Sequence, residues 1–99
     1  MKKSAAKKAV KKAAKKVGFQ YKADPGSYVF LAGSFNQWNP QAHPLGETSV
    51  SGLFKTQIVL PPGKHEYKFV VNGEWQVDPN CTDFAPNDLG TPNSVISVE

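Results

Sequence analysis

Cys81 is the single cysteine of this chain, so no internal disulfide can form. The fold must stand on its core alone, which suits a reducing compartment. No apolar stretch reaches the length of a membrane span or a signal-peptide core. A Gly-rich phosphate loop and a Gly-x-Ser-x-Gly elbow are both missing. His43 and His65 lie far apart without ligand spacing, and one cysteine cannot build a zinc cluster. No metal or cofactor is therefore expected. The acids Glu47, Glu66, Glu74, Asp78, Asp83 and Asp88 are scattered over turns and strand faces. Glycoside hydrolysis needs two carboxylates facing each other across the scissile bond. Nothing marks such a pair, and an enzyme is not expected.

Ninety-nine residues allow one domain at most. A body of about eighty residues folds away only roughly 60–65 per cent of its surface, leaving little material for an enclosed cleft. Charge divides unevenly along the chain. Lysines 2, 3, 7, 8, 11, 12, 15 and 16 precede Gly18 without one acid, giving +8. The remaining four lysines stand against all eight acids, giving −4. The basic balance thus belongs to the first seventeen residues, and a mildly acidic body is a poor nucleic-acid binder.

Residues 1–17 are Ala/Lys-rich and of low complexity. Both residue types favour helix, but lysines at i, i+4 with no acid between them oppose it. The segment reads as a disordered tail, or one that turns helical on a polyanion such as nucleic acid. A solubilising tail with no partner is the other reading. It lacks acids, as transit peptides do, but it has no arginine and one serine, so cytoplasm is the default location.

From Gly18 the pattern becomes β. Phe19 and Tyr21 alternate with polar residues, and Asp24-Pro25-Gly26-Ser27 is a turn. Tyr28–Ser34 reads as a strand, and residues 35–52 are loop-rich. Leu53–Leu60 alternates again until Pro61-Pro62-Gly63 ends it. In His65–Val71, Tyr67, Phe69 and Val71 form the core set, which places Lys68 on the outward face. Asn72-Gly73 is a strong hairpin signal, and Trp75–Val77 pairs back. A polar loop, Asp78–Asn93, precedes a last strand at Ser94–Val98. Short strands and close turns predict an all-β antiparallel sandwich or barrel.

The two tryptophans sit in turn-rich words: Gly33-Ser34-Phe35-Asn36-Gln37-Trp38-Asn39-Pro40 and Val71-Asn72-Gly73-Glu74-Trp75. A large apolar ring held out on a turn costs free energy unless it touches something. Two aromatic plates, one ammonium and several neutral hydrogen-bonding groups suit a polyol. A sugar ring offers an apolar C–H face to an indole and hydroxyls to donors and acceptors. The plain alternative is that both tryptophans cap the ends of the core and Asn93 only makes a turn.

Three words in order now point further: Gly33-Ser34-Phe35-Asn36-Gln37-Trp38; Leu60 to Pro79, with Tyr67-Lys68-Phe69-Val70-Val71-Asn72-Gly73-Glu74-Trp75 at its centre; and Leu89-Gly90-Thr91-Pro92-Asn93-Ser94. Together they resemble the glycogen-binding module of the AMP-activated protein kinase β subunit. They are similar also to the modules before the catalytic domains of starch branching enzymes and isoamylases, grouped as carbohydrate-binding module family 48. The resemblance covers about residues 18–99. It implies an early-set immunoglobulin-like β-sandwich behind the tail of residues 1–17. It implies non-catalytic binding of α-1,4-linked glucans, namely glycogen, starch and maltooligosaccharides. By motif position it implies that Trp38 and Trp75 stack on glucose, and that Lys68, Leu89, Thr91 and Asn93 complete the site. Pro92 stands where the kinase module has another apolar residue, and the loop Asn39–Ser51 also differs. Neither the tail nor the kinase-binding segment that follows the module in that subunit falls within the resemblance. Two other readings stand beside it: a regulatory or scaffold subunit contacting a kinase or glucan-metabolising enzyme, and a polyanion binder acting through the tail.

Overall fold

A computed structural model describes residues 14–86 and 92–99. Among the described residues, eight strands follow one another: β1 (Lys15–Lys22), β2 (Val29–Gly33), β3 (His43–Glu47), β4 (Leu53–Leu60), β5 (Gly63–Val71), β6 (Glu74–Gln76), β7 (Phe84–Ala85) and β8 (Asn93–Val98). Every pairing is antiparallel. The hydrogen-bonded order is β1-β4-β3-β2-β5-β8-β7, with β6 added beside β5. This is the all-β, immunoglobulin-like sandwich that the strand pattern and the resemblance predict, formed by one sheet that curls over on itself.

The curl is made in β3. Its first half pairs with β2, Leu45 opposite Val29 and His43 opposite Leu31. Its second half turns to β4, with Gly46 opposite Lys55 and Glu47 opposite Phe54. A strand that changes partners midway carries the sheet round a corner. The sequence did not advertise β3, because Pro44 has no N–H and Gly46 has no side chain, and both read as loop. The two-residue β7 was likewise hidden in the polar loop before β8. β1 begins at Lys15, three residues before the Gly18 boundary that composition suggests. Val17 there pairs with Ile58, and both pack against the core, so the Lys-rich composition conceals the start of a strand. Residues 1–13, to which the rest of the tail reading applies, lie outside the described residues.

Between the layers, Phe19, Leu45, Phe54 and Leu60 meet Val29, Leu31, Tyr67, Phe69 and Val98. Phe19 and Tyr67 pack edge to face at 5.0 Å, and Tyr21 lies 5.0 Å from Phe69. Truncating a fully enclosed ring such as Phe69 to alanine costs about 3–5 kcal/mol. In β5, Tyr67, Lys68, Phe69 and Val70 are all buried, so this stretch is covered on both faces, as Leu31–Gly33 of β2 is.

Glu47 ties two turns together at one end of the sandwich. Its carboxylate accepts the Gly52 N–H at 2.8 Å and the Gly26 N–H at 3.1 Å. These two bonds, Gly52 first, hold the carboxyl below its ordinary range. The charged form is thus favoured in the folded state. Its stabilisation is present above the unfolded-state value and is lost as pH falls through the lowered folded value. Wild type should therefore melt above Glu47→Gln at neutral pH, and the gap should close in acid. Thermal melts followed by circular dichroism across that range check this; a gap that is constant with pH would contradict it.

Candidate functional site

One edge of β5 is shared by two strands. Gly63–Tyr67 pairs with β8, and Phe69–Val71 pairs with β6. Lys68 falls at the junction, with Ala32 of β2 across its other edge. Tyr67 and Ser94 are register partners, so Asn93 comes level with Lys68 one residue further on. Tyr67 and Ser94 are buried toward the core, so Lys68 and Asn93 share the opposite face. Trp75 is the register partner of Val70 and lies on that same face.

The hairpin that delivers Trp75 is closed by Asn72 and Gly73, at φ +50° and +87°. Two successive positive φ values are the geometry of a tight two-residue hairpin turn. Asn72 is further held by Tyr28: its Oδ1 accepts the Tyr28 N–H at 2.9 Å, and its own N–H donates to the Tyr28 carbonyl at 2.8 Å. The ring of Trp75 stays 46% exposed.

Trp38 reaches the same face from the loop after β2. Its indole centroid is 6.5 Å from that of Trp75, with the planes inclined by 45°. Gln37 and Trp38 both have φ +57°. For a bulky residue this is a sparsely populated region costing about 1–3 kcal/mol, and such strain persists only where the surroundings enforce it. Here they do. The Gly33 carbonyl accepts the N–H of Trp38 at 2.9 Å and of Asn36 at 3.1 Å. Asn36, only 8% exposed, accepts the Gly33 N–H on Oδ1 at 3.0 Å. Its Nδ2 donates to the Leu31 carbonyl at 3.0 Å and lies 2.8 Å from His43 Nδ1. Gly33 is required at the base of this loop, since a Cβ there would lie 2.6 Å from both the Glu66 carbonyl and the Phe35 ring.

Lys68 takes the outward face, as the alternation requires, but it is not open to solvent: 6% of its surface is exposed. Ala32 and Val70 beside it are buried as well. Both indoles stand on this same face. Asn93, 9% exposed, donates from Nδ2 to Glu66 Oε1 at 2.9 Å. Glu66 sits two residues before Lys68 on β5 and was missed by sequence reasoning; the signal was its i, i+2 spacing from that lysine. Asn36 was missed too, although it lies inside the quoted motif. Leu89 and Thr91 lie outside the described residues.

Trp38, Trp75, Lys68 and Asn93 are thus brought together on one face. Chemically this is a wedge of two aromatic plates beside an ammonium and a carboxamide. Elsewhere, Tyr67 donates to Asp78 Oδ2 at 2.6 Å; burial, then this bond, pushes its hydroxyl well above the ordinary tyrosine value. Among the described residues no group of His, Cys, Asp and Glu could hold a metal ion. A groove at the seam between β1 and β8, lined in part by Phe19, Tyr67, Asp78 and Cys81, borders neither tryptophan.

A small β-sandwich presenting paired indoles over hydrogen-bonding groups is built as a carbohydrate-binding module. Residues 15–99 match the family described as the glycogen recognition site of AMP-activated protein kinase. The chain is 39% identical over 74 residues to the 5'-AMP-activated protein kinase subunit beta-1 of Sus scrofa, covering 75% of this chain and 57% of that one. Against the Homo sapiens beta-1 subunit the identity is again 39% over 74 residues, covering 75% of this chain and 26% of the other. Against the Mus musculus beta-2 subunit it is 38% over 77 residues, covering 78% and 27%. The chain therefore belongs to the glycogen-recognition family of AMP-activated protein kinase. It spans 57% of the first of these relatives and about a quarter of the other two.

Gly33→Ala should destabilise the sandwich by about 1–3 kcal/mol through overpacking and also loosen the contact between the indoles. Urea unfolding and the cross-ring NOEs of Trp38 and Trp75 measure the two effects. Unchanged values of both would show that the loop base has room for a methyl group.

Proposed function

We propose that this module binds linear α-1,4-glucans on the Trp38–Trp75 face without acting on them. The observation that carries the reading is the pair of indoles, 6.5 Å apart and inclined by 45°. An α-1,4-glucan curves, so successive glucose units can each lay a C–H face on one of two inclined plates. A cellulose chain is a flat ribbon and cannot meet both. Lys68 and Asn93 supply a donor and a carboxamide to hydroxyls at the edge of the stacked rings. Leu89 and Thr91 join the site in this proposal by motif position. Glu66, the carboxylate beside Lys68, is engaged by Asn93, which favours recognition over acid–base chemistry. Family membership supports the same reading.

The relatives are named as subunits of a protein kinase. We propose that this chain likewise brings a glucan surface to a larger assembly containing a kinase or a glucan-metabolising enzyme. A cytoplasmic setting belongs to the same proposal, with the unpaired Cys81 as its support.

Two stacking plates and a few hydrogen bonds on an open face give modest net affinity after ordering costs. A Kd between about 1 μM and 1 mM for maltohexaose corresponds to roughly −8 to −4 kcal/mol. Calorimetry should show this, with far weaker binding of cellohexaose; equal binding of the two would sink the proposal. Trp75→Ala should abolish measurable binding and leave the melting temperature nearly unchanged. Lys68→Ala should weaken binding and, because the side chain is buried, lower the melting temperature as well. Full binding by Trp75→Ala would move the site elsewhere.

A further inference from the structure

The outer face does not end at Trp75. Trp75, Val70, Phe30 and Pro44 are successive register partners across β6, β5, β2 and β3. Register partners share a face, so these four apolar side chains form one row across it. Val29 and Leu31, on either side of Phe30, are buried in the core. Alternation therefore sends Phe30 outward, and Tyr28, two residues earlier, outward with it. Tyr28 is 73% exposed, more than any other large apolar side chain among the described residues. A single exposed ring is ordinary on a protein surface. Tyr28 differs in its place, because it continues the face on which the two indoles stand.

That place is fixed by the residue that also fixes Trp75. Asn72 lies in the hairpin turn before β6. Its N–H donates to the Tyr28 carbonyl at 2.8 Å, and its Oδ1 accepts the Tyr28 N–H at 2.9 Å. Its Nδ2 donates to the Ser27 hydroxyl at 3.3 Å. The turn that delivers Trp75 is thus clamped to the segment that delivers Tyr28. β5 lies between β2 and β6. Two strand spacings across and two residues along separate the backbones of Tyr28 and Trp75 by about 12 Å. The loop that carries Trp38 leaves β2 at its opposite end, after Gly33. Along the strand direction Trp75 therefore stands between the other two rings. The side chains between Trp75 and Tyr28, namely Val70, Phe30, Asn72 and Ser27, are all neutral, which suits an uncharged ligand that runs on from the indoles.

We propose that Tyr28 is a third stacking platform of the glucan face, receiving a glucose unit further along a chain already seated on Trp38 and Trp75. This rests on the function proposed above. Its consequence is selection by chain length: a short oligosaccharide is satisfied by the indoles, whereas a longer one also covers the phenol ring. The clamp uses the main chain of Tyr28 and the side chain of Asn72, so substitution of Tyr28 leaves the Trp75 hairpin held.

The test uses the full chain and the ratio of maltoheptaose to maltotriose affinity, measured by calorimetry. Tyr28→Ser should lower that ratio about fivefold relative to wild type, the order of one aromatic stacking contact. Tyr28→Phe, which keeps the ring without the hydroxyl, should retain the wild-type ratio. In wild type, NOEs should connect the Tyr28 ring to sugar C–H protons with maltoheptaose. The same ratio in wild type and Tyr28→Ser overturns the proposal, and so does a Tyr28→Phe ratio as low as that of Tyr28→Ser, which would make the contact a hydroxyl bond. In both cases continued maltotriose binding leaves the indole site standing. A wild-type chain that binds neither oligosaccharide removes the glucan reading itself, and the third platform with it.

Discussion

β5 gives one of its edges to two partners, β8 along Gly63–Tyr67 and β6 along Phe69–Val71, and the outer face is organised around the point where they divide. Lys68 lies at that point. β8 brings Asn93 level with it, and β6 brings Trp75 alongside Val70. Had one strand run the full length of β5, the aromatic and the amide could not both reach the same lysine. The division is possible because the Asn72-Gly73 turn returns the chain at once for a three-residue strand. The inward residues of β5, Tyr67 and Phe69, are locked in the aromatic core. The register that presents the outer face is therefore the register that fills the inner one, and a slip of one residue would exchange the two faces.

Trp38 is held differently. Trp75 rides on a hydrogen-bonded strand, whereas Trp38 is placed by a loop whose backbone is strained at two successive residues. A buried carboxamide with three partners at the base of the loop offsets that strain. Such a site gains affinity mainly by being formed before its ligand arrives, because less ordering remains to oppose binding. An exposed indole at 45° to its neighbour is useful only if the angle is kept.

Much of this was legible along the chain. Alternation located β2, β4, β5 and β8 to within a residue or two, because each has one apolar face that must turn inward. The Asn-Gly turn was legible because few pairs tolerate two positive φ values. β3 was not, since its Pro44 and Gly46 carry loop signals and its pairing is set by neighbours distant in sequence. Lys15–Val17 was not, since a lysine run looks like tail until Leu60, Val59 and Ile58 are known to lie beside it.

What the sequence by itself determined is the β class, the inward set of side chains and the presence of two tryptophans at turns. These follow from local periodicity and local backbone preference, which a short window of residues contains. Tertiary structure alone decided that Trp38 and Trp75 meet, that Lys68 is covered although it points outward, that Glu66 engages Asn93, and that His43 reaches Asn36. Each of these joins segments through the curl of the sheet or across its strands. The contact exists only when distant backbone hydrogen bonds have fixed both sides of it, and no window of sequence carries that information.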